Sequence, residues 1–431
     1  MEKNKRSQWS SGFGFIMAAA GASIGLGNIW GFPYKLGEGG GFVFILCYLF
    51  FVVAVGYPVL LGEFAIGRRF SRGAVGTYTR INPKFRFMGI MAVLSCFIIL
   101  AYYNYFGGLV LSYVVQYGQS ILREGISGSG FVYSDSFPVL WLLIFSGATL
   151  FIVLGGVQKG IELCSKIMMP LLFIMLVFLA GKSLQLSGAG PAVAYLFLPD
   201  FSKFSLKTLS SALTQVFFSL SLGQGIMITY GSYLKKESNL EQCAAAVPLF
   251  DTAAALLSSI VIIPAVFSFG MEADTGPGMM FEVIPMIFSR MNGGNVWGFM
   301  FFTLLLFASL TSTISMLETV ASSLTEELGI PKKRASVIVF AAVSAAGIPV
   351  CLDPDLFLAY EYISQNCLVA LGALLTCIIL GWYLKPEAAI EEISAGNNRF
   401  LSKNYWRFMI KYITPLLVFF VLIVSVGIIR V

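Results

Sequence analysis

Apolar residues recur in long blocks along the whole chain, and short polar stretches separate the blocks. About 20 mostly apolar residues are what an α-helix needs to cross the hydrocarbon core of a bilayer. Eleven blocks meet this requirement, at residues 12–34, 41–66, 88–117, 139–156, 164–183, 208–232, 241–270, 297–325, 335–351, 356–384 and 408–429. The pattern therefore predicts an all-α membrane protein in contact with the lipid bilayer.

Composition agrees with this prediction and excludes several kinds of chemistry. Hydrophobic residues make up 57% of the chain and charged residues only 12%, whereas soluble domains carry roughly 25% charged residues. Histidine is absent, which removes His-based acid–base catalysis and His metal ligands. Acidic residues do not form pairs at spacings useful for catalysis. We therefore expect neither an enzyme nor a nucleic-acid-binding protein, and the sequence identifies no protein partner.

The basic residues indicate how the chain is oriented in the membrane. If the N-terminus lies in the cytoplasm, 21 of the 28 Lys and Arg residues fall in inner segments and seven in outer segments. Positive residues concentrate in cytoplasmic loops. The distribution predicts a multi-pass protein of the cell (cytoplasmic or inner) membrane. Its N-terminus is expected inside and, with an odd number of helices, its C-terminus outside.

Two of the predicted helices are rich in glycine and also contain polar residues. The first carries Asn28 among six glycines, and the sixth contains the run Ser219 to Gly225. Unwound backbone is tolerated at membrane depth only inside protein or beside a cavity. Breaks at matching positions of two halves indicate an inverted repeat with a binding site at the midplane. The alternative is that the glycines only allow close helix packing. We predict one transmembrane domain, with repeats at about 12–183 and 208–384 and an extra helix at about 408–429.

The motifs around these breaks resemble those of the neurotransmitter:sodium symporter family, to which the bacterial leucine transporter belongs. The matching segments are residues 25–33 (Gly-Leu-Gly-Asn-Ile-Trp-Gly-Phe-Pro), 217–223 (Phe-Phe-Ser-Leu-Ser-Leu-Gly) and 310–312 (Leu-Thr-Ser). The resemblance covers nearly the whole chain. It implies a 5+5 inverted-repeat fold with broken helices 1 and 6 and an eleventh helix. It also implies sodium-coupled amino-acid import by alternating access.

The resemblance further implies two sodium sites. One would use hydroxyl groups of the eighth helix and carbonyl groups near the first break, from Gly21, Ile24, Ala308, Thr311 and Ser312. Unwound carbonyls and hydroxyls form an oxygen cage suited to sodium. The alternative for the two hydroxyls is hydrogen bonding to the preceding helical turn.

The other sodium site would combine the Ser23 carbonyl, the Asn28 and Ser219 side chains, Asp251 and the substrate carboxylate. A carboxylate inside the membrane is costly and normally functional. Asp251 would place a fixed negative charge beside sodium. Because animal relatives need chloride there, we predict that this chain does not require chloride.

Gly25 occupies the position where monoamine-carrying relatives have an aspartate, so a substrate with its own carboxylate is expected. The resemblance places the Tyr103 hydroxyl on that carboxylate, beside the Leu26 and Gly27 amides. Packing at an interface is the alternative for this tyrosine. The substrate side chain would contact a mostly apolar wall formed by Ser23, Ile99, Phe218, Ser221, Gln224, Ser312 and Met316. Ser219 is predicted to belong both to the substrate site and to the sodium site beside it. We predict a neutral, fairly apolar α-amino acid.

The gates on the two sides of this site differ in how closely they follow the family. Gly31 and Leu356 replace the arginine and aspartate expected at the outer gate. That gate is then either aromatic, through Tyr103 and Phe218, or rewired, and Glu361 has no assigned role.

At the inner side, Arg6 and Trp9 resemble an N-terminal latch with Glu326 as its acidic partner. Alternatively, Arg6 only contributes positive charge. Gly160 and Pro170 resemble a helix-five motif that unwinds to open a cytoplasmic path. Two alternatives to amino-acid import remain: a non-transporting amino-acid sensor and a transporter of another zwitterion such as a betaine-like osmolyte.

Overall fold

The computed structural model describes residues 7–125, 137–270, 279–353, 355–426 and 428. Helices lie at all eleven predicted positions in this described part, and we number them α1 to α11 in chain order. By length and composition, eight of them are able to cross a membrane, or nine if the two arms of α1 count as one span. They are α1 (Gly12–Ser23 and Gly27–Glu38), α2 (Phe42–Phe70), α3 (Pro83–Arg123), α4 (Pro138–Leu154), α5 (Val157–Ser183), α6 (Leu206–Ser219 and Ile226–Gly231), α7 (Leu240–Ser268), α8 (Gly294–Leu328), α9 (Lys332–Leu352), α10 (Leu356–Tyr383) and α11 (Lys403–Ser425). The predicted all-α fold is therefore confirmed.

Several helices are longer than their apolar blocks, and four short helices lie between them. The short helices are Ala74–Ile81, Ala189–Phe197, Ile284–Ser289 and Lys385–Ile393. Helices extend beyond the hydrocarbon core into the polar interface, so hydropathy underestimates their length. The division into repeats at about 12–183 and 208–384 stays a prediction.

The predicted break in α1 is confirmed. The two arms of α1 meet at an angle of 58°, and Ile24 adopts an extended conformation between them. Side chains replace the lost helical hydrogen bonds. Gln215 Nε2 donates to the Gly27 carbonyl at 3.0 Å, and the Gly25 N–H donates to Asn28 Oδ1 at 3.2 Å. This internal pairing allows irregular backbone at membrane depth.

The predicted break in α6 is also confirmed, and it depends on two glycines and one acid. Gly223 and Gly225 have φ values of +75° and +73°, which glycine adopts without steric cost. A Cβ atom on Gly223 would lie 2.5 Å from the Val369 carbonyl oxygen, so the site has no room for a side chain. Glu63, fully buried on α2, accepts a 2.9 Å hydrogen bond from the Gly223 N–H. This is the structural pairing with exposed backbone expected of an intramembrane acid.

Helices α3 and α8 pack closely and hold one wall of the central region. The Tyr113 and Phe302 rings stack with centroids 4.3 Å apart, and the Tyr117 and Phe302 rings stack at 5.6 Å. A Cβ atom on Gly298 would overlap the Tyr117 ring, so glycine allows the two helices to approach. This rigid pair presents the residues of α3 and α8 to the two breaks.

Candidate functional site

A small cavity of about 20 Å³ lies between the two breaks and the α3–α8 pair, and we call it the central cavity. It contains eleven of the twelve predicted substrate-binding residues. Its lining consists of Ala22, Ser23, Gly25, Gly27, Asn28, Ile99, Tyr103, Phe218, Ser219, Ser221, Gln224, Ser312 and Met316. The fold thus brings together residues from four separate regions of the sequence. Their role in binding stays a prediction.

Leu26, the twelfth predicted residue, does not line the central cavity, but its backbone N–H lies beside it. Its N–H donates a 2.7 Å hydrogen bond to the Tyr103 hydroxyl. Its side chain lines a second cavity on the outer side. A Cβ atom on Gly25 would lie 2.5 Å from the Tyr103 hydroxyl and 2.8 Å from Ser312 Oγ. The first break therefore accepts no side chain at this position.

Asp251 lies at the centre of a buried polar network beside the central cavity. Its carboxylate accepts hydrogen bonds from Asn28 Nδ2 at 2.7 Å, Ser219 Oγ at 2.7 Å and the Tyr48 hydroxyl at 2.8 Å. All four residues are at most 1% exposed. The structure therefore joins three predicted ligands of one sodium site. Tyr48 was not predicted, since it is one of 18 tyrosines and no local motif marks it.

This network carries one negative charge, which neutral donors stabilise. Asn28 Nδ2 also donates to Ser219 Oγ at 2.7 Å, so its amide nitrogen faces both partners. For Asn28 to offer an oxygen to a cation, its amide must rotate. A sodium ion would then compensate the carboxylate in place of the Asn28 N–H donor, and the ligand set (carboxylate, amide and hydroxyl oxygens) fits a hard cation.

The residues of the other predicted sodium site also converge. Ser312 Oγ lies 3.5 Å from the carbonyl oxygens of both Gly21 and Ile24, across the gap between α8 and α1. The Thr311 hydroxyl donates to the carbonyls of Phe307 and Ala308, each at 3.0 Å. Thr311 thus makes the back-bond named as its alternative. Thr311 lies against Gly21. Its hydroxyl would have to rotate away from the Phe307 and Ala308 carbonyls to face a cation there.

The second cavity, which we call the outer cavity, has a volume of about 230 Å³ and lies at the end of the molecule where α1 ends. Tyr103, Phe218 and Gly27 line both cavities and therefore separate them. The Phe218 ring lies directly against Gly27, where a Cβ atom would overlap it. This arrangement resembles the aromatic outer gate that was one of the two predicted alternatives.

The outer cavity also contains opposite charges that sequence analysis did not connect. Lys35 on α1 and Glu361 on α10 both line it, among aromatic and aliphatic side chains. Gly31 lines the cavity as well, whereas Leu356 packs against the hydrophobic core. Their relation was not predicted because they lie at different positions from the pair that the family leads one to expect.

The opposite end of the molecule, where α1 begins, is closed by the N-terminal segment. Trp9 is 3% exposed and donates from Nε1 to the Tyr230 carbonyl at 3.0 Å. Arg6 lies outside the described residues, so the predicted latch partner of Glu326 has no structural description. Glu326 itself accepts hydrogen bonds from the Gly73 N–H at 3.0 and 3.1 Å.

Glu162 links this closed end to α5. Its carboxylate accepts hydrogen bonds from the Ser10 N–H at 2.8 Å and from the Ser10 hydroxyl, and it pairs with Lys166 at 2.7 Å. Ser11, the N-cap of α1, lies 3.3 Å from the same carboxylate. The acid thus stabilises the positive N-terminal end of α1. It belongs to a π-helical turn, Val157–Glu162, that contains the glycine of the predicted unwinding motif.

Comparison with known proteins supports one family over the whole chain. A sequence profile described as "Sodium:neurotransmitter symporter family" matches residues 6–127 and 122–430. The chain is 35% identical to a Bacillus subtilis protein named as the uncharacterized sodium-dependent transporter YhdH, covering 99% of both chains. It is 32% identical to an uncharacterized sodium-dependent transporter of Haemophilus influenzae, covering 97% of this chain and 98% of that protein.

A solved structure has the same fold. The crystal structure of MhsT in complex with L-phenylalanine superposes with a TM-score of 0.88 and 36% sequence identity. The match covers 97% of this chain and 99% of MhsT. The predicted 5+5 fold with broken first and sixth helices is therefore confirmed.

Proposed function

This chain belongs to the sodium:neurotransmitter symporter family and is a multi-pass, sodium-dependent transporter of a small molecule, and from that premise we propose that it imports a neutral, fairly apolar α-amino acid. Import would proceed by alternating access in the cytoplasmic membrane, with the N-terminus inside and the C-terminus outside. The excess of basic residues in the segments at the end where α1 begins supports this orientation.

The crowding at Gly25 is the observation that carries this proposal. A side chain at position 25, and hence a carboxylate of the protein there, would displace the Tyr103 and Ser312 hydroxyls at the first break. The Gly27 backbone and the Tyr103 hydroxyl nevertheless line the central cavity next to Asn28 and the Asp251 network. A ligand that brings its own carboxylate would place one at the first break, where position 25 is a glycine and provides none. An α-amino acid is the simplest ligand of that kind.

The remaining walls of the central cavity favour an apolar side chain. Ile99, Phe218 and Met316 provide apolar surface, and the Gln224 amide is the most polar group on that side. Gln224 Oε1 has no hydrogen-bond partner among the described residues. Such a pocket binds a mostly apolar group and tolerates one hydrogen-bond donor. That MhsT was crystallised with L-phenylalanine is consistent with this substrate class.

Two sodium ions are proposed as co-transported ions. One would lie at Asn28, Ser219 and Asp251, where the substrate carboxylate completes the shell. The other would lie between Gly21 and Ser312. Because the carboxylate of the bound substrate would also be a ligand of this sodium ion, each of the two raises the affinity for the other. The closed inner end and the outer cavity support loading from outside, with the sodium gradient as driving force.

A thermal-shift screen of the twenty amino acids in sodium and in potassium tests substrate class and coupling together. A ligand that binds only the folded protein stabilises it by about 2.7 kcal/mol at 100 times its dissociation constant. We expect the largest increase in Tm from an apolar neutral amino acid, in sodium only. Equal stabilisation in potassium would contradict the coupling.

Counterflow in proteoliposomes separates a transporter from a non-transporting sensor. Vesicles loaded with the best unlabelled amino acid should accumulate the labelled form, since a transporter exchanges substrate across the membrane. A sensor would show the same thermal shift without any accumulation. Stabilisation by a betaine and by none of the amino acids would instead identify another zwitterion as substrate.

Chloride independence is the second test of the proposed sodium site. Asp251 provides a fixed negative charge at a position within 2.8 Å of Tyr48 and Ser219. A fixed charge makes a diffusible anion unnecessary. Sodium-driven uptake is therefore expected to change by less than about twofold when gluconate replaces chloride. A decrease of tenfold or more would refute the prediction.

A further inference from the structure

Lys35 and Glu361 lie on different walls of the outer cavity, and each is half-buried. The described part of the chain contains no ion pair between them. Half-buried charges of opposite sign, lining one cavity without direct contact, are costly to desolvate and gain strongly from pairing. We propose that Lys35 and Glu361 form the ion pair that closes the outer cavity over bound substrate. This inference rests on the proposed transport function and names the residues that regulate access to its site.

The directions of the two helices bring these side chains toward each other. The outer arm of α1 runs from the break at Gly27 outward to Glu38, whereas α10 runs inward from Leu356. Side chains on a helix lean toward its N-terminus. Lys35 therefore leans inward and Glu361 leans outward, so their charged groups approach each other between the levels of their Cα atoms.

An ion pair between Lys35 and Glu361 would make charges unnecessary at Gly31 and Leu356, the two positions where the family leads one to expect them. Lys35 lies one helical turn, about 6 Å, beyond Gly31, and Glu361 lies about 7.5 Å along α10 from Leu356. The displacements are in opposite directions relative to the membrane, outward for the lysine and inward for the acid. The charged gate is thus rewired diagonally, above the aromatic layer of Tyr103 and Phe218.

The surroundings favour Glu361 over other acids as the partner of Lys35. Among acidic groups, Glu361 exerts the largest electrostatic effect on the lysine, ahead of Glu38. Lys35 is in turn the charged group that acts on Glu361. Glu38 is exposed and lies 3.7 Å from Lys207. The cavity walls around the proposed pair include Trp30, Tyr34, Tyr102, Phe106 and Phe357. Such aromatic walls exclude water when the cavity closes and strengthen the attraction.

Charge reversal tests the pair. We would compare Lys35→Glu, Glu361→Lys and the double variant that carries both changes, in proteoliposomes with sodium and tritiated L-phenylalanine. Each single reversal should slow uptake and speed release of bound L-phenylalanine by about tenfold, since like charges then oppose closure. The double variant should return to within about threefold of the wild type. Glu38→Gln is the matched control and should leave both rates unchanged.

If a reversed variant does not fold, Lys35→Gln and Glu361→Gln give the same test. For a true pair, the double neutral variant is no more impaired than either single variant. Independent defects that multiply in the double variant, in either series, would overturn the proposal.

A cross-linking experiment tests, independently of transport, whether the two side-chain positions can meet. Lys35→Cys and Glu361→Cys in one chain should be joined by a short bifunctional thiol reagent in sodium, and Glu38→Cys with Glu361→Cys should not. If L-phenylalanine and all other amino acids fail to bind with sodium, the proposed function fails, and the cross-link still decides the pair. A chain that binds and transports but forms no cross-link refutes the pair alone.

Discussion

Replacing Asp251 by alanine is expected to reduce sodium-dependent uptake and sodium affinity by at least about 100-fold. The carboxylate is fully buried and accepts three hydrogen bonds, from Asn28, Ser219 and Tyr48. Hydrogen bonds to a charged group contribute about 1.5–3 kcal/mol each, and each 1.4 kcal/mol is a factor of ten in affinity. The alanine variant would lose both the charge that attracts the cation and the acceptor that orients its other ligands.

The conservative variant Asp251→Asn separates charge from geometry. Asparagine keeps an acceptor for Tyr48 and Ser219 but carries no charge, so sodium binding should then depend on an external anion. We expect uptake by Asp251→Asn to be low in gluconate and partly restored by chloride. Asp200→Ala, which removes an exposed acid bonded to Ser202, is the control and should retain uptake within about twofold. Wild-type sodium affinity in Asp251→Ala would exclude this residue from the site.

The second large effect is expected at Gly25. In Gly25→Ala the new methyl group would lie 2.5 Å from the Tyr103 hydroxyl and 2.8 Å from Ser312 Oγ. Both side chains must move, and the 2.7 Å hydrogen bond from the Leu26 N–H to Tyr103 is lost or lengthened. Overpacking of this kind costs about 1–3 kcal/mol. We expect amino-acid affinity to fall at least about tenfold, as measured by the sodium-dependent thermal shift.

Gly147→Ala on α4 is the matched control, because a Cβ atom there meets nothing within 4 Å. It should leave amino-acid affinity unchanged. Gly25→Asp should abolish binding, since its carboxylate would compete with that of the substrate for the same donors. Unchanged affinity in Gly25→Ala would mean that the amino acid binds elsewhere and that the central cavity is not its site.

Much of the central region could be predicted because its residues lie in short, local motifs. The glycines around Asn28 and the run from Ser219 to Gly225 mark both breaks, and the structure has both breaks at these positions. Asp251 also stood out, because a single carboxylate in an apolar helix is rare. These local motifs do not identify which residue on another helix contacts each of them. Tyr48 contacts Asp251 across 203 positions of sequence, and no local pattern encodes that contact.

The same reason explains the residues that sequence analysis missed at the two ends. Glu162 contacts Ser10 across 152 positions. Its contact with the start of α1 depends on how α5 packs. Glu361 was noted without a role and Lys35 only as an outer basic residue, and the shared outer cavity is what relates them.

The sequence by itself determined the all-α membrane architecture, the eleven helices, the two breaks and the family. Each of these depends on hydrophobic length or on backbone conformation, which neighbouring residues decide. Only the tertiary structure decided which side chains meet: the Asp251 network, the crowding at Gly25 and the two charges of the outer cavity. Such contacts join residues on different helices, and helix packing fixes their distances.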